Sequence, residues 1–316
     1  MTSPRPISIE TAGLSKAFGD HTVLDGIDLT VAAGTIFALL GPNGAGKTTT
    51  VNILSTLVHA DGGTARVAGH DIDRDGSAVR AAIGVTGQFS AIDGLLTGQE
   101  NLRLMADLHH LGRAEGRRQA DALLQRFDLQ DVAGKPAMTY SGGMKRKLDL
   151  AMTLMGAPEV IFLDEPTSGL DPRSRRGLWD IVRGLVADGV TIMLTTQYLD
   201  EADQLADRIA VLDNGRIVAE GTPAELKRRV PGGTIVLHLN DAAGLDAAAR
   251  VFPDGTGDND ALTLSLSAGN DIPAIRAVLD RLESSAVTAS HLEVTSPGLD
   301  DVFLALTGPG ARKVAL

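Results

Sequence analysis

The chain contains no cysteine. Disulfide staples, zinc–thiolate centres and thiol catalysis are therefore excluded, and the absence fits a reducing compartment. Also missing is any apolar run of about 18 residues, the length a helix needs to cross a bilayer. The opening residues Met1–Glu10 lack the apolar core of a secretory signal, so none is expected. Basic residues are in deficit: 29 Lys and Arg stand against 40 Asp and Glu, a net charge of −11. That balance argues against direct nucleic-acid binding. There is no internal repeat. These absences lead to the expectation of a cytoplasmic protein that meets any membrane through another chain.

The 316 residues leave room for two domains, or for one large domain with an appendage. The most informative stretch is Gly41-Pro42-Asn43-Gly44-Ala45-Gly46-Lys47-Thr48, preceded by the apolar run Ile36–Leu40. It fits the phosphate-loop pattern G-x-x-x-x-G-K-[ST]. A buried strand ends, glycines let backbone N–H groups turn inward, and a helix starts at Lys47 with its unpaired N–H groups facing an anion. Lys47 is expected to reach the β- and γ-phosphates of a nucleoside triphosphate and Thr48 to hold Mg²⁺, with Thr49 beside them.

Before that loop, residues 7–14 and 22–31 alternate as two antiparallel strands around Gly19-Asp20. Phe18, next to the turn, suits stacking on a base ring as well as it suits edge packing. After the loop come a helix over 47–57 and a strand pair near 64–73. Ile83–Gln88 reads as a strand ending in a polar residue. A helical pattern from Thr97 to about Leu129, with Leu102, Met105, Leu108 and Leu111 in step, indicates an inserted helical lobe over about 89–150. Ser141 is a good N-cap for a helix running to Met155, and Gly142 and Gly143 leave bare N–H groups there, a second anion site. The Lys145-Arg146-Lys147 run in its first turns reads equally well as a solvated face.

Val160–Leu163 reads as a buried strand closing on Asp164 and Glu165. Asp164 is placed to hold Mg²⁺ and Glu165 to polarise an attacking water. Pro172 opens a helix to about Ala187, the strand Val190–Thr196 ends at Gln197, and Asp213-Asn214-Gly215 marks a hairpin. Pro231-Gly232-Gly233 reads as a boundary between residues 1–229 and 230–308. The second part shows strands near 234–239, 261–267 and 291–295 with helices at 241–251 and 272–284, a βαβαβ-like α+β tail, then a short helix from about Leu299. Residues 309–316 are expected to be loose.

Taken together, the order and spacing of the phosphate loop, Gln88, Ser141-Gly142-Gly143, Asp164-Glu165, Ser168-Gly169-Leu170-Asp171 and Gln197 resemble ABC-transporter ATPase domains over residues 7–226. The resemblance implies an α/β P-loop NTPase fold with an antiparallel β subdomain and a helical lobe, binding ATP and Mg²⁺. Within it Gln88 corresponds to the Q-loop glutamine near the metal, and Ser141, Gly142 and Gly143 to the signature that grips the γ-phosphate held by an opposite monomer. Asp164 matches the Walker B aspartate, Glu165 the catalytic glutamate and Asp171 the D-loop aspartate, while Phe18 falls where adenine is stacked. Tyr140 and Met144 depart from the usual Leu and Gln of the signature, and Gln197 stands where a switch histidine is usual. A narrower set, Thr195–Asp207, Tyr140–Met144 and Leu299–Gly308, resembles the daunorubicin-resistance type of antibiotic exporter ATPase, where that Gln is common. What this implies is a homodimer closed around ATP, a separate transmembrane permease, a peripheral position on the inner face of the membrane, and export of a drug-like compound. An exporter of lipid or polysaccharide, or a non-transport ABC ATPase, shares the same motifs.

Overall fold

The computed structural model describes residues 5–87, 91–229, 233–268, 272–285, 287–295 and 297–307. Gln88, Pro231-Gly232 and the expected loose tail 309–316 lie outside the described residues. The chain divides into two compact units, Met1–Thr222 and Pro223–Leu316.

The first unit begins with β1 (Ile7–Phe18), β2 (His21–Ala32), β3 (Ile36–Leu40), α1 (Lys47–Leu54), β4 (Gly62–Val67) and β5 (His70–Asp71). It continues with α2 (Gly76–Ala82), β6 (Ile83–Thr86), α3 (Gly98–Leu108), α4 (Arg113–Arg126) and α5 (Gly142–Thr153). Then follow β7 (Val160–Asp164), α6 (Pro172–Ala187), β8 (Thr191–Thr196), α7 (Leu199–Leu205), β9 (Arg208–Asp213) and β10 (Arg216–Gly221). Two sheets result: a four-stranded antiparallel one ordered β2-β1-β4-β5, and a six-stranded one ordered β10-β9-β3-β8-β7-β6.

The second sheet is parallel except at its β10 edge. Every residue of β3, β7 and β8 is buried, as befits parallel strands covered on both faces. Phe37, Leu39, Phe162 and Met193 from these strands share one core with Ile9, Leu14, Leu24 and Ile27 of the antiparallel sheet. Parallel register brings Leu40 opposite Thr196 and Asp164 opposite Thr195, so three strands end together on one sheet edge. In open α/β sheets, ligands bind at that carboxyl end.

Helix α1 stops at Leu54, short of the expected 57, because Thr56 turns to φ 64°. The helical pattern of 97–129 resolves into α3 and α4, broken where His110 takes φ 56°. Thr97 starts α3 with a capping box: it accepts from Glu100 N–H, while Glu100 accepts from Thr97 N–H.

The second unit comprises α8 (Pro223–Lys227), β11 (Gly233–Leu239), α9 (Ala242–Val251), β12 (Thr256–Asp258), β13 (Thr263–Ala268), α10 (Ile272–Ser285), β14 (Ala289–Thr295) and α11 (Leu299–Thr307). Its sheet is ordered β12-β13-β11-β14, with every pairing antiparallel. This is the β-α-β-β-α-β arrangement of two split βαβ units. The sequence pattern misses β12, because Thr256-Gly257-Asp258 is exposed throughout and carries no alternation. Ile235, Leu237, Leu245, Phe252 and Leu264 anchor a separate core.

Candidate nucleotide site

The loop after β3 is shaped by two glycines that no other residue could replace without movement. A Cβ on Gly41 would lie 2.3 Å from the carbonyl oxygen of Leu212 on β9. Gly46 adopts φ 109°, and a Cβ there would meet Leu24 Cδ2 at 2.5 Å and Val23 O at 2.9 Å. Gly46 also caps α1, and no side chain does so. The leading N–H groups of the helix therefore face the cleft as an anion site.

Lys47 is buried, 4% exposed, and folds back to donate from Nζ to Gly41 O at 2.8 Å and Pro42 O at 3.0 Å. Burial lowers its pKa from the ordinary lysine value, while the charges of Glu165 and Asp164 work in the opposite direction. Thr48 donates from Oγ1 to Asp164 Oδ2 at 2.9 Å. The other Asp164 oxygen accepts from the Thr195 hydroxyl, its register partner across β7 and β8. A threonine hydroxyl and a carboxylate at hydrogen-bond distance, beside a phosphate cradle, are the hard oxygen donors that suit Mg²⁺, so the residues fit that ion.

Glu165 follows with φ 47°, a conformation that costs a non-glycine residue about 1 kcal/mol. Its N–H is held by Thr195, through the carbonyl at 3.1 Å and Oγ1 at 3.2 Å. The backbone turn leaves the carboxylate on the wall of a cleft of about 400 Å³, which Asn43, Gly44, Gly46, Lys47, Thr48 and Thr49 also line. Phe18 forms its lip, 53% exposed, with the Lys16 ammonium 5.3 Å from the ring centre. Pro42 and Ala45 shape the loop itself, linked by the bond from Ala45 N–H to Pro42 O at 3.3 Å.

Ser141, Gly142, Gly143 and Asp171 do not line this cleft. They form a second patch. Ser141 caps α5 by accepting from Met144 N–H at 3.3 Å, which leaves its own proton to donate. Gly143 abuts Ser174: a Cβ would lie 2.6 Å from the Ser174 hydroxyl. Asp171 caps α6, accepting from the N–H groups of Arg173 and Ser174 at 2.9 Å and from the Ser174 hydroxyl at 2.6 Å. Those bonds, the Ser174 hydroxyl foremost, hold its carboxyl below the usual range. Gln197 is exposed directly after β8, at the sheet edge that ends in Asp164. Tyr140 is buried and donates to Val132 O at 2.7 Å, with its ring against Gly98, so it serves the helical lobe rather than a ligand.

The profile of the ABC transporter family matches residues 24–168. The daunorubicin resistance ATP-binding protein DrrA3 of Streptomyces coeruleorubidus is 50% identical over 307 residues, 96% of this chain and 97% of that protein. This chain belongs to the ABC-transporter ATP-binding proteins of the daunorubicin-resistance type. The doxorubicin resistance ATP-binding protein DrrA of Mycobacterium tuberculosis is 40% identical over 312 residues, 95% of this chain and 94% of that one. A solved ATP-binding subunit of an ABC transporter superimposes with a TM-score of 0.63 at 30% identity, covering 70% of this chain and 92% of its own. As an ABC ATPase the chain binds nucleotide and hydrolyses ATP. Among the described residues no helix is long and apolar enough to cross a membrane.

Some residues of this ABC site escape a reading of the sequence. His21 and Val23 line the cleft from β2, and Thr195 holds both Asp164 and Glu165. A signal for Thr195 exists: Thr195-Thr196 puts two hydroxyls at the end of an otherwise apolar buried strand.

Proposed function

We propose that this chain is the ATP-hydrolysing subunit of an exporter that moves a drug- or antibiotic-like compound outward through a separate membrane permease. Near-full-length identity to daunorubicin and doxorubicin resistance ATP-binding proteins supports the cargo class. The observation that carries the mechanism is the separation of two anion sites on one chain, the cleft around Lys47 and the α5 N-terminus at Ser141. One chain thus supplies half of two sites, and a C₂ dimer completes both.

In that reading Phe18 stacks on adenine, and the N–H groups from Gly41 to Thr49 wrap the phosphates. Lys47 exchanges its bonds to Gly41 O and Pro42 O for the β- and γ-phosphates. Thr48 and Asp164, with Gln88, would hold Mg²⁺, which would supply charge neutralisation for the phosphates. Ser141, Gly142 and Gly143 of the partner chain close on the γ-phosphate, with Asp171 supporting the contact. Glu165 orients and polarises the attacking water, and Gln197, which has no titrating proton, hydrogen-bonds the γ-phosphate. Loss of that phosphate removes contacts to both chains, and the dimer reopens. The helical lobe about residues 89–150 passes this motion to the permease, which keeps the chain peripheral on the inner face of the membrane.

The test is Mg²⁺-ATP hydrolysis against protein concentration, with Glu165→Gln alongside. The rate per chain should rise with concentration, and Glu165→Gln should hydrolyse about 10²- to 10³-fold more slowly while accumulating as an ATP-bound dimer. A concentration-independent rate from a monomer, or a variant as fast as the parent, overturns the reading.

A further inference from the structure

Helix α5 carries a side chain that this mechanism leaves unused. Arg146, one turn into the helix, is only 13% exposed and turned inward. Its guanidinium donates from Nε to Pro166 O at 2.8 Å and from Nη2 to Asp164 O at 3.2 Å, the two carbonyls that flank Glu165. From Nη1 it donates to a third carbonyl, Gly87 O at the end of β6, at 3.0 Å. Asp149, one turn further on, meets Arg146 Nη1 at 3.4 Å and accepts from Ala91 N–H at 3.2 Å. Burial lowers the pKa of Arg146, while the carboxylates of Asp149, Glu201 and Asp164 favour its charged form.

We propose that Arg146 is a positioning residue for ATP hydrolysis, fixing the Glu165 backbone from both sides and tying it to the signature helix. The inference rests on Glu165 being the group that polarises the attacking water. A left-handed conformation at a non-glycine residue persists only where its surroundings hold it. Here Thr195 holds the Glu165 N–H from one side, and Arg146 holds the carbonyls before and after it from the other. These are charge-assisted bonds in a place shielded from water. The planar fork of arginine spans several acceptors at fixed angles, which the compact ammonium of lysine does not reproduce. Because Ser141 caps α5, the fork makes the α5 N-terminus and the Glu165 peptide move as one piece.

The test uses the full chain with Arg146→Lys, Arg146→Met and Glu165→Gln, reading steady-state Mg²⁺-ATP hydrolysis, fluorescent-ATP binding and thermal unfolding. Both Arg146 variants should lose at least about fivefold in kcat, with the KM for ATP moved less than about threefold. Lysine should recover the unfolding temperature lost in Arg146→Met, but not kcat. A lysine variant within about fivefold of the parent kcat, whatever its unfolding temperature, overturns the proposal. Should Arg146→Met fail to fold, Arg146→Lys decides alone by that same threshold. Glu165→Gln separates the two ways of failing. If it is slow while Arg146→Lys is fast, only the positioning role falls; if it keeps the parent rate, the reading of Glu165 falls and takes this role with it.

Discussion

The two units differ less in how they pack than in what they bury. The second closes its core around aliphatic and aromatic side chains, and none of its polar or charged residues is buried among the described ones. The first buries Lys47, Asn101, Asp149, Asp164 and Glu201 beside an apolar core of the same kind. Burying charge costs several kcal/mol, at order of magnitude, unless each group finds partners. A fold does not need that cost. At Lys47 and Asp164 the first unit carries it because its sheet edge must gather a cation and an acid around phosphate, whereas in the second unit packing alone accounts for the core.

Gly46→Ala tests that contrast with the largest expected effect. The added methyl meets Val23 O at 2.9 Å and the buried end of Leu24, at a φ of 109° that side chains avoid. The phosphate loop must shift to accept it. Fluorescent-ATP binding should weaken by about 100-fold or more, equivalent to about 3 kcal/mol, and hydrolysis should fall with it. The second unit's unfolding should be untouched. Binding at parental strength would show that the loop's shape is not what makes the site.

Much of the first unit's site was legible because its chemistry is local. Gly41 to Thr49 forms one strand–loop–helix, and the Asp164-Glu165 pair ends one buried run, so each can be read from adjacent residues. Arg146 was not legible as anything but a basic helix start. Its acceptors lie 18, 20 and 59 residues away, and no spacing rule on α5 points to them. Thr195 reaches Asp164 across 31 residues through parallel register, which the sequence does not state. In the second unit the alternation of Thr234–Leu239 marks β11, with Ile235, Leu237 and Leu239 facing inward. The edge strand β12, having no buried face, left no pattern to find.

Leu237→Ala probes the other side of the comparison. Leu237 is fully buried at the centre of β11, opposite Leu264 and Leu292. Removing its side chain should cost the second unit about 2–5 kcal/mol through lost burial and a residual cavity. Urea unfolding followed by hydrogen exchange should place the loss in residues 233–295. ATP affinity should change less than about twofold, a difference of about 0.4 kcal/mol. An equal loss of protection in β3 and β8 would mean that the two cores unfold as one.

The smallest effect concerns Glu201, a buried carboxyl on α7 that accepts from Trp179 Nε1 at 3.2 Å. Burial raises its pKa, and the Trp179 indole N–H together with the charge of Arg175 offsets only part of that rise. A carboxyl with a raised folded pKa binds more protons folded than unfolded in the interval between the two values. Stability is therefore lost as pH climbs from the ordinary glutamate range through the raised value, and it stays lower above it. Glu201→Gln keeps the acceptor for Trp179 and removes the buried charge. The variant should be more stable than the parent at neutral pH by about 1 kcal/mol, and its urea midpoint should vary less with pH on the acid side. The second unit has no fully buried carboxyl among its described residues, so its own transition should not share the change. Parallel pH profiles for parent and variant in the first unit would mean that the Glu201 carboxylate is solvated well enough to carry its charge at no cost.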